Sequence, residues 1–243
     1  MSKRNYRNNI EFVEAGFTAC WHNSQDLVKG AKLLLDNSLH AQALSLSVLA
    51  LEELGKLFCI DGILFAHATD HKAQTFAKSL KSHSTKLSAL ELFPLLLDKI
   101  ASLDPRYKTD ARFKQTMAIS FSNLNERGNQ VTSMLKSGTF DELDKWKQYG
   151  FYSQSKNDTF IKPNDAVEPE VAEAVYMLAW RASSSLDFLL KQGNLDRYMA
   201  FARELRSKLS ESDHQEIEQV SKRMLDDLFP DEMDESVKPI QPV

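Results

Sequence analysis

Apolar residues recur at three- and four-residue spacing over most of this chain, and that rhythm predicts helices. From Ile10 to Leu35 it is carried by Phe12, Val13, Phe17, Cys20, Trp21, Leu27, Val28, Ala31, Leu34 and Leu35, giving one long helix or two broken near Asn23-Ser24. Asp36-Asn37-Ser38 reads as a short turn with a capping residue. Leu39 to Ala66 is then apolar on almost every face, the pattern of a central helix surrounded by others. A polar stretch from Thr69 to Gln74 precedes a third helix near Phe76 to Leu90, which can continue to Ile100 through a kink at Pro94. Asp104-Pro105-Arg106 marks a loop. Asp110 to Lys136 carries Phe113, Met117, Phe121, Leu124, Val131 and Leu135 at helical spacing and stops at Ser137-Gly138, with Gly128 a candidate interruption.

The rhythm fails between Thr139 and Pro169. Trp146, Tyr149, Phe151, Tyr152 and Phe160 are scattered there among glycine, serine and proline, which predicts an irregular but ordered loop. Glu168-Pro169-Glu170 opens another helix, with proline in the first turn and acids beside it, running to about Lys191 and ended by Gly193-Asn194. Leu195 to Phe229 holds two shorter amphipathic helices, the second opened by Ser212-Asp213-His214-Gln215-Glu216. Asp231 to Val243 is acidic and proline-flanked and reads as a flexible tail. The expected organisation is a helical domain over residues 1–192, a helical extension packed on it over 193–229, and an acidic tail over 230–243.

Composition agrees with an all-α chain. Eight glycines and seven prolines leave long runs rich in Leu, Ala, Lys, Glu and Ser, so little or no sheet is expected. At 243 residues and 42% hydrophobic content, one large core is within reach. A formal net charge of -4 provides no global field for nucleic acid, so such binding would rest on a local patch. Cys20 and Cys59 lie in apolar helical patterns with no second ligand at zinc spacing, and read as buried reduced thiols. The basic start, Met1 to Arg7, meets Asn8, Asn9 and Glu11 rather than an apolar stretch, so no secretory signal is expected. The apolar run from Ala43 to Leu51 falls well short of the roughly 20 residues that cross a bilayer. No membrane contact and a cytoplasmic location follow as expectations.

Three polar groupings interrupt this pattern. Glu52, Glu53 and Lys56 break the central helix, where buried ionised groups need partners. Glu52 and Lys56 are four apart in the favourable order, so an ordinary intrahelical ion pair explains them; Gly55 between them argues instead for a close approach by another backbone or a ligand. Lys78 to Lys86 would set His83 beside Ser79, Ser82 and Lys86 on a basic helix face, able to hold a phosphate and move a proton, or to be plain solvated surface. Asn125 to Gln130, with Tyr149 to Tyr152, offers Arg127 as a phosphate clamp and Tyr149 and Tyr152 as stacking surfaces; equally, Arg127 can pair with an acid such as Glu53 while the aromatics pin the loop. His67 and His71 are four apart but lack a third ligand nearby, so neither a metal nor any other cofactor is expected, and no phosphate-loop, dinucleotide or nucleophile-elbow motif occurs.

The string from Ala31 to Lys56, ending Ala-Leu-Glu-Glu-Leu-Gly-Lys, resembles the hallmark of the AbiV family of bacterial abortive-infection proteins, within the HEPN superfamily. His83 with Lys86, then Arg127 and the Tyr149 to Tyr152 stretch, extend the likeness over roughly residues 10 to 190. The resemblance implies an up-and-down helical bundle, here with additional C-terminal helices, paired as a homodimer. It also implies a role in phage defence, arresting growth or translation in infected cells, with RNA or the translation machinery as target and a phage protein as activator. Many HEPN proteins are metal-independent ribonucleases that use an arginine followed four to six residues later by a histidine. No such pair occurs in this chain. The substitute catalytic set implied for RNA cleavage is His83 as general acid or base, Lys56 and Lys86 for phosphate charge and Glu53 to orient the base, with Glu52, Arg127, Tyr149 and Tyr152 binding substrate. The contrasting expectation is a non-catalytic helical module that inhibits a phage or host protein by occupancy. A third is an anion or nucleotide sensor built on Lys56, His83 and Lys86.

Overall fold

The computed structural model describes residues 10–65, 80–135, 138–156 and 159–208. The predicted helix starting at Phe76, the Thr69–Gln74 stretch, the Ser212 helix, the acidic tail and the basic N-terminus lie partly or wholly outside these residues.

The first helix, α1 (Ile10–Asp36), is unbroken. Ser24 does not interrupt it, because its hydroxyl donates to the Trp21 carbonyl at 2.7 Å and shares a hydrogen bond with Ser183 at 3.2 Å inside a helix interface. A turn at Ser38, in the left-handed region at φ 59°, reverses the chain into α2 (His40–Phe65). The cap of α2 comes from far along the chain: Asn164 Oδ1 accepts from the Ala41 amide at 3.1 Å, while Asn164 Nδ2 donates to the Ser38 carbonyl at 3.0 Å. Along α2, residues Ala41, Leu44, Val48, Leu51, Leu54 and Leu57 are fully or almost fully buried, which makes it the axis of the core.

Pro94 does not kink a continuing helix. A short helix α3 (His83–Ser88) passes into a 3-10 turn (Ala89–Leu92), and Pro94 opens a new helix, α4 (Phe93–Ser102), in the first turn, where its missing N–H costs nothing. Asp104 and Asp110 then cap α5 (Pro105–Thr109) and α6 (Ala111–Met134), and α6 continues through Gly128 without a break.

The predicted loop from Thr139 to Pro169 is the main correction. It contains α7 (Leu143–Phe151) and a two-stranded antiparallel hairpin of β1 (Gln154–Lys156) and β2 (Thr159–Ile161), with Ser155 opposite Phe160. The helix was hidden because its buried face is Leu143, Lys147 and Gly150, only one of which is apolar and large. The chain ends its described course with α8 (Pro169–Leu189), a wide turn in which Gly193 takes φ 75°, and α9 (Leu195–Lys208). Helices α1, α7 and α8 all pack against α2. The fold is an all-α bundle with one small hairpin, and no helix among the described residues is long and apolar enough to cross a membrane.

Candidate functional site

Glu52 sits on α2 with its side chain 3% exposed, so its carboxylate is stable only where donors replace water. Three do. Lys147 Nζ on α7 lies 2.6 Å from Oε1, His83 Nδ1 on α3 lies 2.7 Å from Oε2, and Lys86 Nζ, also on α3, lies 3.4 Å from Oε2. Lys147 also pairs with Asp144 Oδ1 at 2.6 Å. Burial alone would lower the Lys147 pKa, but its hydrogen bonds to Asp144 and Glu52 outweigh that and hold it above the ordinary lysine value.

Two glycines bring these elements together. A Cβ at Gly55 would stand 1.8 Å from the Lys86 carbonyl oxygen, and one at Gly150 would stand 1.8 Å from Ser45 Oγ and 2.2 Å from the Ala41 carbonyl oxygen. The backbones of α3 and α7 therefore touch α2 where no other residue would let them. Ser45 secures the second contact by donating to the Lys147 carbonyl at 2.6 Å. On α3, Ser82 caps the helix by accepting from the Thr85 amide at 3.3 Å, which puts His83 in the first turn and Lys86 one turn on. Ser82 is thus a cap and not a member of a long basic face.

The lysines are the inner part of the cluster, 5% and 11% exposed, whereas the His83 side chain is 51% exposed. A 2.7 Å contact between Nδ1 and a carboxylate oxygen needs a proton between them, so Nδ1–H donates to Glu52. That leaves Nε2, on the far side of the half-exposed ring, with no hydrogen bond among the described residues. The amines of Lys147 and Lys86 pass within 3.2 Å and 3.4 Å of Nδ1, so the imidazole stands over a group of two carboxylates and two ammoniums. Glu52, His83 and Asp144 place ligand atoms within 4.8 Å of one another, the kind of set that can bind a metal ion. Lys147 Nζ, 2.6 Å from an oxygen of each acid, already stands between them as their cation.

Glu53 and Lys56 are elsewhere. One residue along a helix is a rotation of about 100°, so Glu53 faces α1, where it pairs with Lys56 at 2.5 Å and accepts a hydrogen bond from Cys20. Neither the expected Glu52–Lys56 pair nor a contact from Glu53 to His83 is present. Burial, reinforced by Glu53, pushes the Cys20 thiol up to about 12. Arg127 donates to Gln130 at 2.6 Å on an exposed stretch of α6 and does not pair with Glu53. Tyr149 and Tyr152 are exposed near the end of α7, with Tyr149 against Trp146 at a ring separation of 6.3 Å. The structure therefore groups Glu52, His83 and Lys86 of the expected residues, and leaves Glu53, Lys56, Arg127, Tyr149 and Tyr152 outside that group. Lys147 and Asp144 were missed. The available signal was a spacing shared by Glu52-x-x-Gly55 and Lys147-x-x-Gly150, a reaching side chain with a glycine one turn on.

The charged hub thus stands on the central helix of an all-α bundle. The sequence model of the AbiV group of HEPN proteins matches residues 12–182, and the chain belongs to that family. The match spans Glu52, His83, Lys86, Asp144 and Lys147. No curated protein and no solved structure gave a match.

Proposed function

We propose that this protein is a cytoplasmic abortive-infection effector that arrests growth or translation in infected cells by cleaving RNA without a metal ion, with His83 as the proton-transfer group. The observation that carries this reading is the 2.7 Å hydrogen bond from a half-exposed imidazole to a buried carboxylate. In this reading Nδ1–H is donated to Glu52 and Nε2, at the edge of the half-exposed ring, takes the proton, the arrangement in which a histidine works as a general base. Nε2 takes the proton of a ribose 2′-hydroxyl as that oxygen attacks the adjacent phosphorus, the 5′-oxygen leaves and is protonated by water, and a 2′,3′-cyclic phosphate remains. Once His83 has taken the proton, the two carboxylates and two ammoniums balance and the imidazolium charge is left over, beside the negative charge that develops on the attacked phosphate. In this reading Glu52, rather than Glu53, orients the base, and Lys147 with Lys86, rather than Lys56, supplies the positive charge beside it.

The test is incubation of purified protein with transfer RNA in the presence of a chelator. Cleavage leaving 2′,3′-cyclic ends is expected, falling by about 10²–10⁴-fold in His83→Ala and Glu52→Gln and little changed in Glu53→Gln. The second reading, a non-catalytic module that inhibits a phage or host protein by binding, is favoured by the charge balance itself, since Glu52 and Asp144 already neutralise both ammoniums. It takes over if no RNA is cut and toxicity survives His83→Ala but fails in Tyr149→Ala or Tyr152→Ala. In either reading the working unit is a homodimer, because the apolar surface of a bundle is often continued across a two-fold interface, and a phage protein is the activator.

A further inference from the structure

A cavity of about 500 Å³, apart from the Glu52 cluster, lies between α2, α4, α6 and α8. Its floor is apolar, formed by Leu51, Phe93, Leu124, Phe140 and Leu178. Its polar wall comes from Asn125, Asn129 and Thr132 on α6, at the spacing of one helix face, with Gly128 among them. Gly128 leaves room there, since even its missing Cβ would sit 3.4 Å from the Phe140 ring. Among the described residues of the lining, Glu91 on the 3-10 turn is the one charged side chain, and no described lysine, arginine or histidine joins it. Among the described residues the Glu91 carboxylate forms no ion pair, and the side-chain amides of Asn125 and Asn129 make no hydrogen bond. An apolar floor, exposed polar groups at a half-open mouth and a volume of about 500 Å³ fit the general plan of a small-molecule pocket.

We propose that this cavity binds a small organic cation with an apolar, ring-sized body, its ammonium on Glu91 and its ring on the Leu51 and Phe93 floor. Charge decides the class. Among the described residues an anion would meet one carboxylate and no counter-charge, which favours a cation over nucleotides and phosphates here. The proposal is independent of RNA cleavage, because no residue of the Glu52 cluster lines the cavity.

The test is a titration of the full chain, labelled at leucine methyls, with tryptamine and with indole-3-propionate, probes of similar shape and opposite charge. Saturable shifts at the Leu51, Leu124 and Leu178 methyls are expected with tryptamine, with the anion bound about tenfold more weakly or worse. Glu91→Gln should remove most of that discrimination, and Gly128→Leu, which fills the space in front of Phe140, should remove binding. Equal binding of the two probes, no saturable shift with tryptamine, or undiminished preference for the cation in Glu91→Gln overturns the proposal. Glu91 is exposed, so its variant reads the pocket even if Gly128→Leu fails to fold.

Discussion

Glu52 is tolerated inside the bundle because each of its oxygens meets at least one donor, and removing its charge would strand Lys86 and Lys147 with Asp144 alone. Breaking a buried pair from one side costs far more than replacing the pair. Glu52→Gln is therefore expected to lower unfolding free energy by about 3–5 kcal/mol in urea titrations, and Glu52→Leu combined with Lys86→Met and Lys147→Met by less than Glu52→Leu alone. A Glu52→Gln variant within about 1 kcal/mol of the parent would contradict this account. The thiols give a second check. Burial pushes both Cys20 and Cys59 up to about 12. At pH 8 only about one in 10⁴ of each is then thiolate, so a thiol reagent should find neither in the folded protein and both after denaturation. From the sequence, the oddity of Glu52 and Glu53 was legible, but not which of them faces the site. That choice depends on helix phase and on Lys147, 95 residues away in the chain.

The same hub depends, one level up, on how closely three helices approach. Gly55→Ala gains about 0.5–1 kcal/mol of helix propensity, yet it puts a carbon 1.8 Å from a backbone carbonyl that has no flexible side chain to swing aside. The overlap wins, and a net loss of about 2 kcal/mol or more is expected for Gly55→Ala and for Gly150→Ala. Gly16→Ala is the control, since its Cβ would meet Ile60 Cδ1 at an ordinary 3.5 Å, and it should be neutral or mildly stabilising. Thermal unfolding of the three variants ranks them directly, and equal midpoints would refute the close-approach argument. The long helices were readable because their buried faces are apolar. α7 was not, since a helix that buries a lysine for its charge and a glycine for its absence of side chain carries no hydrophobic stripe.

Across the whole molecule, α9 lies beyond the 12–182 stretch that defines the family, but it is built into the core. Tyr198 is fully buried, its ring 5.7 Å from Phe17, and its hydroxyl donates to Asp61, which also accepts from Lys99 at 2.7 Å. One tyrosine thus joins α1, α2 and α4, and burial raises its pKa well above the ordinary phenol value. A stop after Gln192 would remove Tyr198 and Met199 from the core, about 2–3 kcal/mol each, and should lower the melting midpoint by about 10 °C or more. Tyr198→Phe, which keeps the ring, should lower it by only a few degrees. A truncated chain melting within about 3 °C of the parent would show that α9 is not part of the folding unit. The additional C-terminal helix was legible as an amphipathic segment; its anchor was not, because nothing in a sequence pairs Asp61 with a tyrosine 137 positions on.

The two contact glycines also carry information about ancestry. Each backbone contact delivers one of the two lysines that Glu52 needs, so a lineage cannot lose either glycine and keep the hub, nor acquire Glu52 safely before both are in place. Among related chains the two Gly positions and the acid should be inherited or lost as a set, even where the surface histidine has been exchanged. A genome search keyed on that co-occurrence would separate proteins that retain this buried hub from those that share only the bundle.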